Sequence, residues 1–126
     1  MAHRSALEGF VIDCRTEDLG EAMAFWSSAL GAMATLDAEG RYAEFDRTFG
    51  GIELLLQAVD HPPRIHLDLA SDDIEAEAAR LEALGAKRIG VLKRWIVMEA
   101  PTGHRFCIVT RDSADMADDA ATWDDE

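Results

Sequence analysis

The chain carries the same order of strand and helix signals twice, about 55 residues apart. In the first copy, Asp18-Leu19 opens a helix that ends at Leu30-Gly31-Ala32, and Asp73-Ile74 and Leu84-Gly85-Ala86 stand at the matching places of the second copy. Each helix follows one alternating strand and precedes three strand candidates, so each copy reads βαβββ. A repeat of this kind indicates two copies of one supersecondary unit, which we call module one (residues 7–58) and module two (residues 64–110).

The expected strands are residues 7–14, 32–37, 41–47 and 52–58 in module one, and 64–69, 88–92, 95–99 and 104–110 in module two. Apolar residues at helical spacing form one stripe on each helix: Leu19, Ala22, Met23, Trp26, Ala29 and Leu30 on the first, and Ile74, Ala78, Leu81 and Leu84 on the second. We expect an α+β fold in which the two modules form a curved mixed sheet, with the helices outside and a concave ligand-binding cup on the helix-free face.

Residues 64–69 alternate between polar and apolar side chains. Because side chains of a strand alternate between the two faces, the apolar set Ile65, Leu67 and Leu69 should pack beneath the second helix. Arg64, His66 and Asp68 should then share the opposite face. Such a face could be the solvated side of an antiparallel sheet, or it could carry a functional site.

Composition excludes several classes of function. The apolar content of 48% is ordinary for a globular protein, and the formal net charge of −13 argues against nucleic-acid and anionic-membrane partners. We find neither an apolar signal region nor an apolar run long enough to span a membrane. The sequence therefore predicts a cytoplasmic protein in which Cys14 and Cys107 are reduced.

The last fifteen residues differ from the rest. Residues 112–126 contain seven acidic residues and no Lys or Arg, which leaves a net charge of −6 for residues 1–111. We interpret residues 1–111 as one domain and residues 112–126 as a solvated acidic tail with a short helix around residues 117–123. Trp123 is exposed in this interpretation, unless it anchors the tail on its own domain or on a partner subunit.

The chain resembles the vicinal oxygen chelate superfamily of glyoxalases, bleomycin resistance proteins and extradiol dioxygenases. The resemblance rests on the paired modules, on Phe25-Trp26 in the first helix, on residues 66–69 at the start of module two, and on the closing residues 101–107. Residues 64–69 with Trp95 and Phe106-Cys107 resemble its glyoxalase-like branch. The resemblance covers residues 7–110. It implies fold more specifically than function, because one fold hosts many chemistries.

The resemblance also implies where a metal would bind. Metalloenzymes of the superfamily take ligands from the first and last strands of each module, and here these positions hold Val11, His66, Cys107 and, if Gly51 is aligned with Gly103, Leu55. Glu53 is two residues from Leu55 on the same face. The candidate metal ligands are therefore His66, Glu53 and Cys107, for zinc, nickel, manganese or iron. Because a catalytic site needs about three protein ligands, we expect this site to be degenerate and no metal to be bound.

A metal-free site on the helix-free face is the other expectation. Strand parity places polar side chains above an apolar floor, as in small-molecule pockets. The candidate ligand-binding residues are Asp13, Glu53, Gln57, Arg64, Trp95 and Arg105. His66, beside Asp68 or Asp13, could act as a general base, and we assign His66 and Asp68 as the catalytic candidates.

Three functions remain open from the sequence. One is a glyoxalase-like small-molecule enzyme of the lyase or isomerase type, built around His66. Another is a non-catalytic binding protein that sequesters an apolar or cationic ligand, as bleomycin resistance proteins do. The third is a structural or regulatory interaction domain. Because sheet edges need pairing or covering, we expect a homodimer.

Overall fold

The structure is a computed structural model that describes residues 2–124. The chain forms two compact units. One, the continuous unit, comprises Gly9–His66; the other, the split unit, combines Met1–Glu8 with Leu67–Glu126. Two strands, β1 (Ala2–Arg15) and β5 (Arg64–Ser71), contribute residues to both units.

The continuous unit contains one helix and a mixed sheet. After β1 come α1 (Gly20–Leu30), β2 (Ala34–Leu36), β3 (Tyr42–Phe45) and β4 (Glu53–Val59). The strand order is β2-β3-β4-β1, antiparallel except for the parallel pair β4 and β1. Parallel strands need a long crossover connection, and the connection from β1 to β4 contains α1, β2 and β3.

The core of the continuous unit lies between α1 and one face of this sheet. Leu19, Ala43, Leu56 and Ala58 are buried there. Met23 and Trp26 of α1 pack against them, as their spacing predicts. The predicted stripe is nevertheless too wide, because Ala29, in the last turn of α1, is exposed.

The split unit repeats this arrangement. It contains α2 (Ile74–Ala83), β6 (Lys87–Val91), β7 (Trp95–Glu99) and β8 (Arg105–Thr110). The strand order is β5-β8-β7-β6, again with one parallel pair, β5 and β8. Asp73 caps α2 by accepting a hydrogen bond from the Ala76 amide at 3.0 Å. The α+β class, the mixed sheet and the duplicated βαβββ order are confirmed.

The core of the split unit is formed by Ala78 of α2 with Ile96, Met98 and Ile108. Because α2 contacts β6, β7 and β8, it leaves the beginning of β5 uncovered, and Leu67 is exposed. The expectation that Leu67 packs beneath this helix was wrong. Leu84 is also exposed, since it is the C-cap of α2 and lies beyond the last helical turn.

Ile65 was expected beneath the second helix as well. It is 63% exposed in the structure. The alternation of the strand itself is nevertheless as predicted, because Asp68 pairs with Cys107 and Leu69 with the core residue Ile108. The alternation of side chains along β5 was therefore predicted correctly, and the burial of its first half was predicted wrongly.

The register of the two parallel pairs changes one alignment between the modules. Asp13 pairs with Gln57, whereas Asp68 pairs with Cys107. The counterpart of Cys107 is therefore Gln57, and Leu55 is not its equivalent. The shared turn glycines Gly51 and Gly103 misled the alignment, because the lengths of chain between those turns and the paired residues differ by two.

The predicted helix around residues 117–123 is absent. The chain instead forms a 3-10 turn at Ser113–Asp115 and a strand, β9 (Ala121–Asp124), which pairs antiparallel with Ala2–Ser5 of β1. Met116 is buried. Residues 112–124 are therefore packed within the split unit. The last two residues of the predicted tail, Asp125 and Glu126, and also Met1, lie outside the described residues.

No helix within residues 2–124 is long and apolar enough to cross a membrane.

Candidate functional site

The candidate site of the continuous unit is centred on Asp13. Its β1 neighbours Ile12 and Cys14 point into the core, so Asp13 points to the helix-free face. There it lies beside its register partner Gln57. The Gln57 side-chain amide donates to the Tyr42 hydroxyl at 3.1 Å, which continues the polar row onto β3.

Three side chains converge on one oxygen of the Asp13 carboxylate. His66 Nδ1 is 3.0 Å from Oδ2, Arg64 Nε is 3.5 Å away and His61 Nε2 is 3.7 Å away. Asp13 is only 2% exposed, and the His66 side chain is 10% exposed. A buried carboxylate is costly unless it is paired, and here His66 and Arg64 are the groups that stabilise its charge.

The hydrogen bond to Asp13 sets the orientation and tautomer of His66. An ionised carboxylate can only accept, so Nδ1 carries the hydrogen and donates it. Nε2 is then the nitrogen that can take up a proton, and the resulting imidazolium would be stabilised by the adjacent carboxylate. This is the arrangement of an oriented general base.

His61 has the same tautomer for a different reason. Its Nδ1 lies 2.8 Å from the Pro62 carbonyl oxygen, to which it donates. Its Nε2 can therefore accept from the Arg64 guanidinium, 3.2 Å away. His61 thus holds Arg64 in place beside Asp13.

The other oxygen of the Asp13 carboxylate, Oδ1, differs in its hydrogen bonding. Oδ1 is buried and has no hydrogen-bond partner among the residues that the structure describes. An unmet buried acceptor usually carries a penalty of about 1–3 kcal/mol. Asp13 is held in an unfavourable setting, as is common for residues that serve chemistry.

Cys14, next to Asp13, is an unsuitable nucleophile. Burial raises the pKa of its thiol, and the negative charge of Asp13 raises it further. A nucleophilic cysteine needs the opposite environment, one that stabilises the thiolate.

The split unit holds the remaining candidate residues on its own helix-free face. Asp68 pairs with Cys107 across β5 and β8, and Trp95 pairs with Val109. Arg105 forms an ion pair with Glu99, with Nε and Oε2 at 3.0 Å. A single pocket that combines these residues with the Asp13 cluster remains a prediction.

The comparison with protein families identifies this fold. A family model described as a glyoxalase-like domain matches residues 9–109. The chain belongs to the glyoxalase-like family. No curated protein matches its sequence.

Solved structures from several enzymes share the fold of the glyoxalase-like chain. It is similar to the Mn(II)-bound glyoxalase of Novosphingobium aromaticivorans, with 20% identity, a TM-score of 0.59, and coverage of 94% of this chain and 44% of that one. For Streptomyces coelicolor methylmalonyl-CoA epimerase the identity is 16%, the TM-score 0.55 and the coverage 85% and 96%. For homoprotocatechuate 2,3-dioxygenase of Arthrobacter globiformis the identity is 18% and the TM-score is 0.56, and the match covers 84% of this chain and 36% of that one. These likenesses show the shared fold.

The donor set of the continuous unit does not fit the divalent metal that the superfamily resemblance implies. The ligand position on β1 is Val11, which has no donor atom. The corrected partner position on β4 is Gln57, a neutral amide whose NH₂ group is turned to Tyr42. Glu53 pairs with Gly9, about 13 Å along β4 from Gln57. A metal ligand set of His66, Glu53 and Cys107 remains a prediction without support from this unit, and no chemical step below uses a metal.

Two residues of the cluster were not found from the sequence. His61 precedes the Pro62-Pro63 turn, and its position before β5 could have indicated a side chain near Arg64. Tyr42 begins β3, where parity relative to the core residue Ala43 would have placed it on the helix-free face. Asp13 was expected to be one of two possible partners of His66, and the structure pairs the two directly.

Proposed function

We propose that this glyoxalase-like protein is a small-molecule enzyme of the isomerase or lyase type in which His66 transfers a proton. The observation that supports this proposal is the buried Asp13–His66 hydrogen bond of 3.0 Å. A buried carboxylate that orients an imidazole is a recurrent way to build a general base.

The proposed reaction begins at an acidic C–H bond next to a carbonyl group. His66 Nε2 takes the proton, and the electron pair of the broken C–H bond moves into an enolate. The imidazolium is stabilised by Asp13, which keeps its own charge throughout. A proton from solvent delivered to the opposite face of the same carbon gives an isomer, and His66 releases the first proton to solvent. Loss of a leaving group from the neighbouring carbon gives a lyase reaction instead.

The proposal is tested by deuterium exchange in D₂O, followed by proton NMR. Suitable probes are 2-oxobutyrate, a 2-hydroxyketone and a 2-methyl-branched acyl thioester, the last because one structural neighbour is named as a methylmalonyl-CoA epimerase. We expect the protein to accelerate loss of the proton signal at the carbon next to the carbonyl of at least one probe. A His104→Gln variant, altered at an exposed histidine in the turn before β8, should behave like the wild-type chain.

The same experiment can also contradict the proposed proton transfer. Line broadening or shifts of a probe without any deuterium incorporation would contradict proton transfer. That outcome would favour the non-catalytic binding protein that the sequence also allows.

We also propose a homodimer in the cytoplasm. The dimer proposal rests on β6, an edge strand of the split unit, where Ile89 and Val91 are exposed. Exposed apolar edges favour pairing with another chain. Light scattering should give twice the 13.8 kDa of one chain, and a mass of one chain at micromolar concentration would contradict it.

A further inference from the structure

Arg64 is the one charged group of the Asp13 cluster that faces solvent. Its side chain is 43% exposed, whereas Asp13 beneath it is 2% exposed. A molecule that approaches the cluster therefore meets the guanidinium before the carboxylate. Because a guanidinium keeps its proton in proteins, this cation is permanent.

The contacts of Arg64 fix its guanidinium without saturating it. Nε lies 3.5 Å from Asp13 Oδ2, too long for a strong charge-assisted bond. Nη2 donates to His61 Nε2 at 3.2 Å. Within residues 2–124, Nη1 has no hydrogen-bond partner. The guanidinium is thus oriented from one side and retains N–H donors on the other.

We propose that the site takes small carboxylic acids, with Arg64 as the residue that binds the substrate carboxylate and His61 as its positioning residue. This inference rests on the proposed function and adds the substrate class to it. A planar guanidinium with unused donors matches the two oxygens of a carboxylate.

The spacing along β5 limits the size of such an acid. Arg64 and His66 are two residues apart on the same strand, about 7 Å between their backbones. A carboxylate on Arg64 and a C–H bond at His66 can then belong to one molecule of a few carbons. The substrate negative charge also complements the imidazolium that proton transfer creates on His66.

The affinities of two isosteric probes, one charged and one neutral, test the inference. The probes are 2-methylpropanoate and its neutral counterpart 2-methylpropanamide, and the measurement is their Kd by NMR titration. We expect the wild-type chain to bind the carboxylate about 10- to 100-fold more tightly, as hydrogen bonds to a charged group predict. Arg64→Met should remove this preference, while Arg41→Met, which removes an exposed arginine of the same unit, should retain it.

Variants of His61 separate positioning from general structure. His61→Ala should reduce the carboxylate preference several-fold, because the guanidinium loses the acceptor that orients it. His61→Gln should restore it, since a glutamine oxygen can also accept from Nη2. An unchanged preference in His61→Ala would overturn the positioning role.

An unaltered preference in Arg64→Met, or equal affinity for both probes in the wild-type chain, would overturn the substrate class. The proton-transfer proposal fails separately. If Arg64-dependent binding occurs and no probe exchanges deuterium, the proposed reaction is wrong and the carboxylate site stands. If neutral amides exchange as fast as acids, the reaction stands and the carboxylate site is wrong.

Discussion

The Asp13→Asn variant is expected to exchange substrate hydrogen about 100- to 1,000-fold more slowly than the wild-type chain. Asparagine keeps the size of the side chain but removes the charge that stabilises the His66 imidazolium. It can also present an N–H to Nδ1, which would place the ring hydrogen on Nε2 and remove the basic lone pair. The measurement is the exchange rate in D₂O on whichever probe the wild-type chain turns over.

His66→Gln should lose at least as much activity, and the double variant should lose little more, since the two residues act as one unit. Asp60→Asn is the matched control, because Asp60 is an exposed carboxylate shortly before the cluster. Thermal unfolding should show that each variant is folded. A wild-type rate in folded Asp13→Asn, or an equal loss in Asp60→Asn, would show that Asp13 does not support the reaction.

Removal of residues 112–126 is expected to lower the melting temperature by about 10–15 °C. The sequence alone predicts almost no change, because it suggests a solvated tail. In the structure the deletion removes buried Met116, the β9 pairing and the Trp123 side chain. Burial of each large apolar side chain contributes about 1.5–3 kcal/mol, and each lost kcal/mol lowers the melting temperature of a chain of this size by about 3–5 °C.

Trp123 is attached to a buried polar network of the split unit. Its indole N–H donates to Ser5 Oγ at 2.9 Å, and the Arg80 guanidinium lies 3.8 Å above its ring. Arg80 is bound to buried Glu77 through two hydrogen bonds of 2.8 Å. Glu77 also lies 2.7 Å from His3 Nε2. Deletion of the tail would expose this network to water.

The ionisation of Glu77 links this network to pH. Burial alone would raise its pKa, but hydrogen bonds from Arg80, His3 and Ser5 outweigh burial and lower the pKa below its ordinary value of 4.5. A lowered folded-state pKa stabilises the protein above the ordinary value and ceases to do so as the pH falls through the folded-state value. Melting temperatures for the deletion should therefore be compared near pH 7, where the contribution is complete.

Asp118→Asn and Asp119→Asn serve as controls, because both carboxylates are exposed in the same segment. They should change the melting temperature by no more than about 2 °C. Trp123→Ala should account for a substantial part of the loss. A deletion that melts within about 3 °C of the full chain would show that residues 112–124 contribute no stability.

Much of the fold could be predicted because the repeat and the alternation of strands are local signals. Trp95–Glu99 was predicted to the residue, and the helix-free positions of Asp13 and Gln57 followed from parity. The burial of Leu67 was wrong because the direction in which α2 crosses its sheet is a tertiary property. The alignment of Leu55 with Cys107 was wrong because turn glycines do not record strand register.

The tail was predicted wrongly for a physical reason. Acidic composition and low hydrophobicity usually indicate a solvated segment, and those averages conceal Met116 and Trp123. The partners that bury or bind these side chains lie more than a hundred residues away in one case, at Ser5. Glu77 was missed for a similar reason, since a glutamate on a helix is normally exposed.

The pairing of β1 with β9 has a consequence for synthesis on the ribosome. Ala2–Ser5 pair with Ala121–Asp124, so this ladder joins segments separated by almost the whole described chain. During translation, Gly9–His66 can be complete before the β9 partner of Ala2–Ser5 has been synthesised. Contacts so distant in sequence form slowly, and nascent chains with unpaired strand edges are prone to aggregate. We expect conditions that slow the translation of residues 67–124 to lengthen the time before Ala2–Ser5 can pair with Ala121–Asp124.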